Sequence, residues 1–158
     1  MEIINNFAPT AKVWIYQASR NITQEESLAI TEQLSAFTSS WNSHGASVEG
    51  GFEIKHNRFI ILIASEASGV SGCSIDSSVK VIREIEANFS LGLLDRGVTS
   101  YLANEEVKAV PFTAIKKAIE TGDIQRDTLI FNNAVSNLAE FESSWLQKAE
   151  NSWLSRYF

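Results

Sequence analysis

Apolar residues follow two different spacings along the first half of this chain. Six of them stand side by side in the segment 58–64, and such a strand points apolar side chains to both faces of a sheet. Residues 13–16, Val-Trp-Ile-Tyr, are also apolar on both faces. Residues 48–56 instead alternate between apolar and polar side chains. We therefore predict two inner strands and, between them in sequence, one half-exposed edge strand.

Helical spacing marks two further segments. Thr23 with Glu26 three residues later matches the capping box, which pairs two backbone N–H groups at the start of a helix. The apolar residues that follow recur every three or four positions, at Ile30, Leu34, Phe37 and Trp41. A second set with this spacing is Ile75, Val79, Ile82, Ile85 and Phe89. We predict one helix from Thr23 to about Asn42 and another from the turn at 71–74 to about Ser90.

A strand at 98–102, a turn at Asn104 and an extra edge strand at 107–111 complete the predicted sheet. The order is then strand, helix, strand, strand, helix, strand, which is the split β-α-β arrangement of ferredoxin-like domains. That arrangement puts the first and third strands inside the sheet and the second at its edge, in agreement with the apolar patterns. We predict an α+β fold of the ferredoxin-like class.

The last third of the chain is predicted to form an extension of this sheet. Residues 112–120 indicate a short helix closed by Gly122, and residues 129–131 indicate a brief strand. A long final helix from about Ala134 would carry large apolar side chains at near-helical spacing, namely Leu138, Phe141, Trp145 and Trp153. We expect this aromatic helix to cover the sheet or to close a homodimer.

Composition narrows the class of protein. With 44% hydrophobic residues, four tryptophans and two prolines, the 158-residue chain can bury a sizeable core. We divide it into a ferredoxin-like half at 8–104 and a C-terminal extension at 105–158, packed as one body. The net charge of −6 disfavours nucleic acid and anionic membranes as partners, because both would repel the protein. One cysteine and the lack of any long apolar run predict a soluble cytoplasmic protein.

Cys73, the only cysteine, stands at the predicted start of the second helix, where the helix dipole favours a thiolate. The predicted topology brings the loop that contains His44 to the same end of the sheet, together with the turn at Asn104 and Glu105. His44 would then act as a base for Cys73, with Asp76 close behind. In this interpretation the protein is an enzyme with the catalytic residues Cys73, His44 and Asp76.

Two plainer interpretations of the same turn need no reactive thiol. In the first, Ser74 and Asp76 cap the helix and Cys73 is a small buried side chain. In the second, the helix N-terminus binds a small ligand or a protein partner. The residues that would form this binding site are Ser71, Gly72, Ser74 and Trp41. We take a non-enzymatic binding or interaction protein as the leading hypothesis and the Cys73 enzyme as the alternative.

Metal ions and cofactors have little support in the sequence. The two histidines, His44 and His56, and the single cysteine lack chelating spacing, so we expect no metal site and no cofactor. Asp95 and Arg96 are adjacent in the loop after the second helix, which the predicted topology places away from Cys73. Such a pair more often stabilises a turn or forms a surface ion pair than catalyses a reaction.

Six segments carry motifs that can be compared with known families: 13–17, Trp41 with His44-Gly45, 71–78, Asp95-Arg96, 127–133 and 152–154. Together they resemble a family of small uncharacterised bacterial proteins whose members often carry the automatic label ABC transporter ATPase. The resemblance spans nearly the whole chain and implies no activity. No glycine is followed by lysine, as a P-loop requires, and the Leu-Ser-Gly-Gly-Gln signature is absent, so we expect no ATPase activity.

A weaker resemblance covers residues 105–133. Val110-Pro111, the helix after it, Gly122-Asp123-Ile124 and the segment 127–131 are similar to GYF-type modules, some of which bind proline-rich peptides. The Gly-Tyr-Phe triplet that defines those modules is missing, so the resemblance does not carry peptide binding to this chain. Peptide binding would need an exposed aromatic groove, whereas aromatic residues in such a segment are usually core.

Overall fold

Two main antiparallel sheets, a two-stranded ribbon and four α-helices form the part of the chain that the computed structural model describes, residues 3–43, 45–68 and 72–158. The predicted α+β class is confirmed. The helices are α1 (Gln24–Ser40), α2 (Gly72–Phe89), α3 (Ile115–Glu120) and α4 (Leu138–Ser144). The strands are β1 (Lys12–Gln17), β2 (Asn42–Ser43), β3 (Ala46–Ser47), β4 (Gly50–Lys55), β5 (Phe59–Ala64), β6 (Val98–Ala103), β7 (Glu106–Pro111), β8 (Leu129–Phe131) and β9 (Leu146–Lys148).

The first sheet has the order β1-β5-β4, and both pairs of neighbours are antiparallel. β5 is the inner strand and all six of its residues are buried, as its unbroken apolar run predicts. β4 lies at the edge and is only partly buried, in agreement with its alternating pattern. His56 and Asn57, with φ of 56° and 53°, form the turn between these two strands. Two successive left-handed residues give a turn whose twist matches that of a hairpin.

Helix α1 starts as the sequence predicts. The hydroxyl of Thr23 accepts the N–H of Glu26 at 3.2 Å, and the Glu26 carboxylate accepts the N–H of Thr23 at 3.0 Å. The helix residues buried against the first sheet are Ile30 and Leu34. Trp41 follows the last helical residue in an extended conformation and leads the chain into β2.

Helix α2 buries a face that is displaced from the predicted one. Its buried residues are Ser74, Ser78, Val81, Ile82 and Ile85. Ile75 and Val79, which the spacing assigned to the buried face, are only half-buried. Trp41 packs beside the start of this face, where its Nε1 donates to the carbonyl oxygen of Ser74 at 2.9 Å. The small serine side chain lets the indole ring approach the helix.

The fourth strand that we predicted for the first sheet lies in the second sheet, which has the order β7-β6-β8-β9. The outer edge of β1, where a ferredoxin-like sheet would place β6, is bonded to residues 136–138 instead. Val13 N–H donates to Ser136 O at 3.0 Å, and Leu138 N–H donates to Ala11 O at 2.9 Å. β1 is therefore an edge strand of the first sheet and not the inner strand that we expected.

The predicted hairpin of β6 and β7 is confirmed. Its turn is formed by Asn104 and Glu105, with φ of 53° and 68°. β7 is an edge strand, so Pro111 at its end removes no hydrogen bond from an inner ladder. The boundary that we predicted between residues 104 and 105 falls within this hairpin.

The long C-terminal helix predicted from about Ala134 is wrong, because several short elements take its place. α4 begins only after Asn137, whose side chain accepts the N–H of Glu140 at 2.9 Å and caps the helix. After α4 the chain extends into β9, which pairs with β8. Leu138 and Phe141 lie in α4, Trp145 follows its last residue, and Trp153 begins a 3-10 helix after β9.

The C-terminal part covers the face of the first sheet that lies opposite α1 and α2. Trp14 and Tyr16 of β1 face the two helices, whereas Val13 and Ile15 face the C-terminal part. The C-terminal side chains buried against this face are Phe131, Val135, Leu138, Phe141 and Trp145. No helix in the described ranges combines the length and the apolar character that crossing a bilayer requires.

Candidate functional site

The structure describes the predicted Cys73 site only in part. His44 and Ser71 lie outside the described residues. Gly72 begins α2, and Cys73 follows it with an exposed side chain. Asp76 is exposed as well. The interpretation of Cys73 as a small buried side chain is therefore wrong.

Trp41 and Ser74, which we predicted for a ligand site, are buried, with 3% and 0% of their surface exposed. They contact each other through the indole N–H and the Ser74 carbonyl. The Trp41 ring also packs against Phe37 and Trp14, with ring centroids 4.9 and 6.1 Å away. This contact puts the end of α1 beside the start of α2, as the predicted topology requires.

The turn at Asn104 and Glu105 does not lie at that end of the molecule. Glu105 lines a cavity with Asn57 and Arg58, which precede β5, whereas α2 follows the end of β5. Our expectation for this turn is wrong, because β6 belongs to the second sheet and not to the first. In the described ranges, no three side chains of histidine, cysteine, aspartate or glutamate lie close enough to hold a metal ion.

A second candidate site lies between the two sheets, and we name it the inter-sheet cleft. It is a cavity of about 260 Å³ formed where five separate segments of the chain meet. The residues that line it are Gln17, Leu93, Asp95, Arg96, Val98, Thr99, Ser100, Phe112, Phe131, Asn132, Asn133, Ala134 and Trp153. Concave sites built from several segments are where small molecules usually bind.

Two amide side chains, the buried Gln17 and the half-buried Asn133, join the walls of the inter-sheet cleft. The Gln17 Oε1 accepts hydrogen bonds from Ser100 Oγ at 2.7 Å and from Asn133 Nδ2 at 2.9 Å. Gln17 Nε2 donates to the carbonyl oxygen of Val98 at 3.0 Å. Asn133 Oδ1 accepts the indole N–H of Trp145 at 3.0 Å. The network fixes both amides and links β1 to the second sheet.

Arg96 carries the positive charge of the cleft. Its guanidinium carbon lies 5.4 Å from the centre of the Tyr16 ring, and its Nη1 donates to Ile15 O at 3.4 Å. Burial raises the pKa of the Tyr16 hydroxyl above 10.0, and the charge of Arg96 partly offsets that rise. Arg96 also lines an adjacent cavity of about 510 Å³ beside β1.

The opening of the cleft is aromatic. Phe112 and Trp153 are 50% and 44% exposed, although both are large apolar side chains. Their rings meet edge to face, with centroids 5.4 Å apart. Both residues line the cleft, so a bound molecule would contact them.

The cleft lining offers hydroxyl, amide, carboxylate and guanidinium groups. Among the described residues that line it there is neither a cysteine nor a histidine. The hydroxyl of Ser100 donates to the amide oxygen of Gln17, which cannot act as a general base. The Asp95 Oδ1 accepts the N–H of Gly97 at 2.8 Å and stabilises its own turn, as we predicted for this residue pair.

Sequence reasoning missed the inter-sheet cleft. The sequence by itself indicates a turn or surface role for Arg96 and no site role for Gln17 or Asn133. All three stand in segments that carry the family resemblance, and this was the one signal available in the sequence. Comparison with protein-family models, with curated proteins and with solved structures finds no match to this chain.

Proposed function

We propose that this protein is a non-enzymatic binding protein that takes a small molecule into the inter-sheet cleft. The observation that carries the proposal is the hydrogen-bonded set of Gln17, Ser100 and Asn133 beside the charged Arg96. Polar groups fixed before binding lower the entropy cost of association.

The Cys73 end of the molecule supports a second candidate site for a ligand or a protein partner. The exposed position of Cys73 in the first turn of α2 favours it. An enzyme with Cys73 as nucleophile, His44 as base and Asp76 nearby belongs to the same candidate and would need a free thiol accessible to substrate.

One experiment separates the two candidates. A pool of small organic fragments is added to the labelled protein, and backbone and indole N–H signals are followed by ¹⁵N–¹H correlation NMR. We expect shifts for residues 96–100, for residues 132–134 and for the Trp153 indole, with the same binding to the Cys73→Ser variant. Shifts confined to residues 72–78 and lost in Cys73→Ser would assign the ligand site to the Cys73 end. A pool that shifts neither region contradicts the proposal.

Partner and family assignments are also proposals. A homodimer through the C-terminal aromatic residues would use the exposed Trp153 with Phe112 beside it, because Phe141 and Trp145 are buried against the first sheet. We further propose a ferredoxin-like origin for the first sheet, supported by its β1-β5-β4 order, and membership of the bacterial family that the sequence resembles. Cytoplasmic localisation rests on the single cysteine.

A further inference from the structure

We propose that the ligand of the inter-sheet cleft is a small organic carboxylate, bound through its carboxylate by Arg96 and through an apolar or aromatic body by Phe112 and Trp153. This inference rests on the proposed function and names the chemical class of its ligand. It follows from the hydrogen-bonding groups that the cleft leaves available.

Most N–H donors of Arg96 have no acceptor in the described part of the chain. A guanidinium group has five N–H donors in a planar fork that matches the two oxygens of a carboxylate. One nitrogen of Arg96 donates to Ile15 O, at the long distance of 3.4 Å. Within the described part of the chain, no carboxylate lies within ion-pair distance of Arg96. The contact with the Tyr16 ring holds the group in place without using its N–H donors.

The amides of the cleft also have more free donors than acceptors. Each amide NH₂ carries two hydrogens, and within the described ranges Gln17 Nε2 and Asn133 Nδ2 each donate to one acceptor. Gln17 Oε1 already accepts two hydrogen bonds, and Asn133 Oδ1 accepts one. Because the remaining capacity consists mainly of N–H groups, a ligand rich in acceptor oxygens fits the cleft best.

Asp95 is the acidic group that opposes an anion in the cleft. One of its oxygens is bonded to the N–H of Gly97. The protein as a whole carries a net charge of −6, so an anion gains nothing from long-range attraction. Its affinity must come from short contacts with Arg96 and the amides. Removing the charge of Asp95 and removing the charge of Arg96 should therefore change the affinity for a charged ligand in opposite directions.

The first test compares three molecules that share one ring and differ in charge: phenylacetate, phenylacetamide and phenethylammonium. Binding to the unmodified protein is measured by ¹⁵N–¹H NMR titration, with the Trp153 indole as the reporter of the cleft. We expect phenylacetate to bind about tenfold or more tightly than the other two, as is typical of a hydrogen bond to a charged group. Equal binding of all three would overturn the carboxylate inference.

The second test uses variants with phenylacetate as the probe. Arg96→Gln should weaken its binding about tenfold or more, Arg96→Lys should weaken it less, and neither should change phenylacetamide binding. Asp95→Asn should strengthen phenylacetate binding, because the asparagine oxygen still accepts the Gly97 N–H while the negative charge is gone. Arg83→Gln, on the exposed face of α2 and outside the cleft, is the control and should bind as the unmodified protein does.

Other outcomes contradict the inference in distinct ways. Weaker binding in Asp95→Asn, with phenethylammonium as the tightest ligand, would mean a cationic ligand. Phenylacetate binding that is unaffected by Arg96→Gln and Arg96→Lys in folded protein would remove Arg96 from the site. If fragments of the pool bind the cleft and phenylacetate does not, the carboxylate inference fails while the proposed binding function stands.

Discussion

At the scale of single residues, Trp41 has a larger role than its place in an apolar pattern indicates. Its indole N–H bonds the backbone of α2 at Ser74, and its ring lies over Gly50 at the start of β4. A Cβ atom added at Gly50 would lie 2.5 Å from Cε3 of that ring and 3.1 Å from the carbonyl oxygen of Ile63. Glycine is required there because an aromatic ring occupies the space of a side chain.

Gly50→Ala should therefore destabilise the protein. Because Trp41 is buried and cannot move away freely, we expect a loss of about 1–3 kcal/mol in the free energy of unfolding, the usual cost of overpacking. Urea denaturation followed by tryptophan fluorescence measures it. Gly72→Ala is the matched control, since an added Cβ at Gly72 meets no atom within 4 Å. Equal stability of the two variants would show that the Trp41 ring adjusts without cost.

At the scale of elements, local signals determined where α1 begins. Thr23 and Glu26 form the capping box that their spacing predicts, and Arg20 adds two hydrogen bonds to the same carboxylate, at 2.8 and 2.7 Å. These hydrogen bonds from Arg20, followed by those from Thr23, lower the pKa of Glu26 from 4.5 to about 2. The stability of the start of α1 thus depends on pH through the Glu26 carboxyl group.

Glu26→Gln should make the stability of the protein less dependent on pH in the acid range. A carboxylate whose pKa falls on folding contributes stability above its unfolded pKa, near 4.5, and loses it as the pH falls towards about 2. Between these values the Tm of the unmodified protein should therefore fall more steeply than the Tm of Glu26→Gln. Circular dichroism melts from pH 2 to pH 6 measure both slopes. Glu32→Gln, an exposed change on the same helix, is the control and should keep the slope of the unmodified protein. If the slope of Glu26→Gln equals that of Glu32→Gln, the link between Glu26 and acid stability is contradicted.

At the scale of the whole molecule, one polar network joins two sheets that share no backbone ladder with each other. Gln17 of β1 bonds Ser100 of β6 and Asn133 after β8, residues that are 83 and 116 positions away in the chain. The apolar cluster around Phe59 and Trp145 also contains residues of both halves of the chain. The inter-sheet cleft exists because the two sheets meet at β1 without merging.

Gln17→Ala should weaken this junction. It leaves the buried Ser100 hydroxyl and the half-buried Asn133 amide without their acceptor, and an unpaired buried polar group costs about 1–3 kcal/mol. We expect that loss in the free energy of unfolding by urea, with one transition seen by both fluorescence and circular dichroism. Gln33→Ala, which removes a glutamine whose exposed contact with Glu84 is 3.4 Å long, is the control. A Gln17 variant as stable as this control would show that the network does not stabilise the junction.

The elements that the sequence alone determined depend on neighbours a few residues apart. The capping box of Thr23 needs only Glu26, the turn between β4 and β5 needs only His56 and Asn57, and the apolar run of β5 must be buried wherever it lies. Such interactions are present in any arrangement of the rest of the chain. The α+β class was therefore predictable.

Tertiary structure alone decided the position of β6, the length of α4 and the inter-sheet cleft. Residues 136–138 compete successfully for the outer edge of β1, so β6 forms its ladder elsewhere and a space remains between the sheets. Arg96 and Asn133 line that space only because of this outcome. A competition for a partner strand that lies far away in the chain leaves no local pattern, because its result depends on which complete packing has the lower free energy.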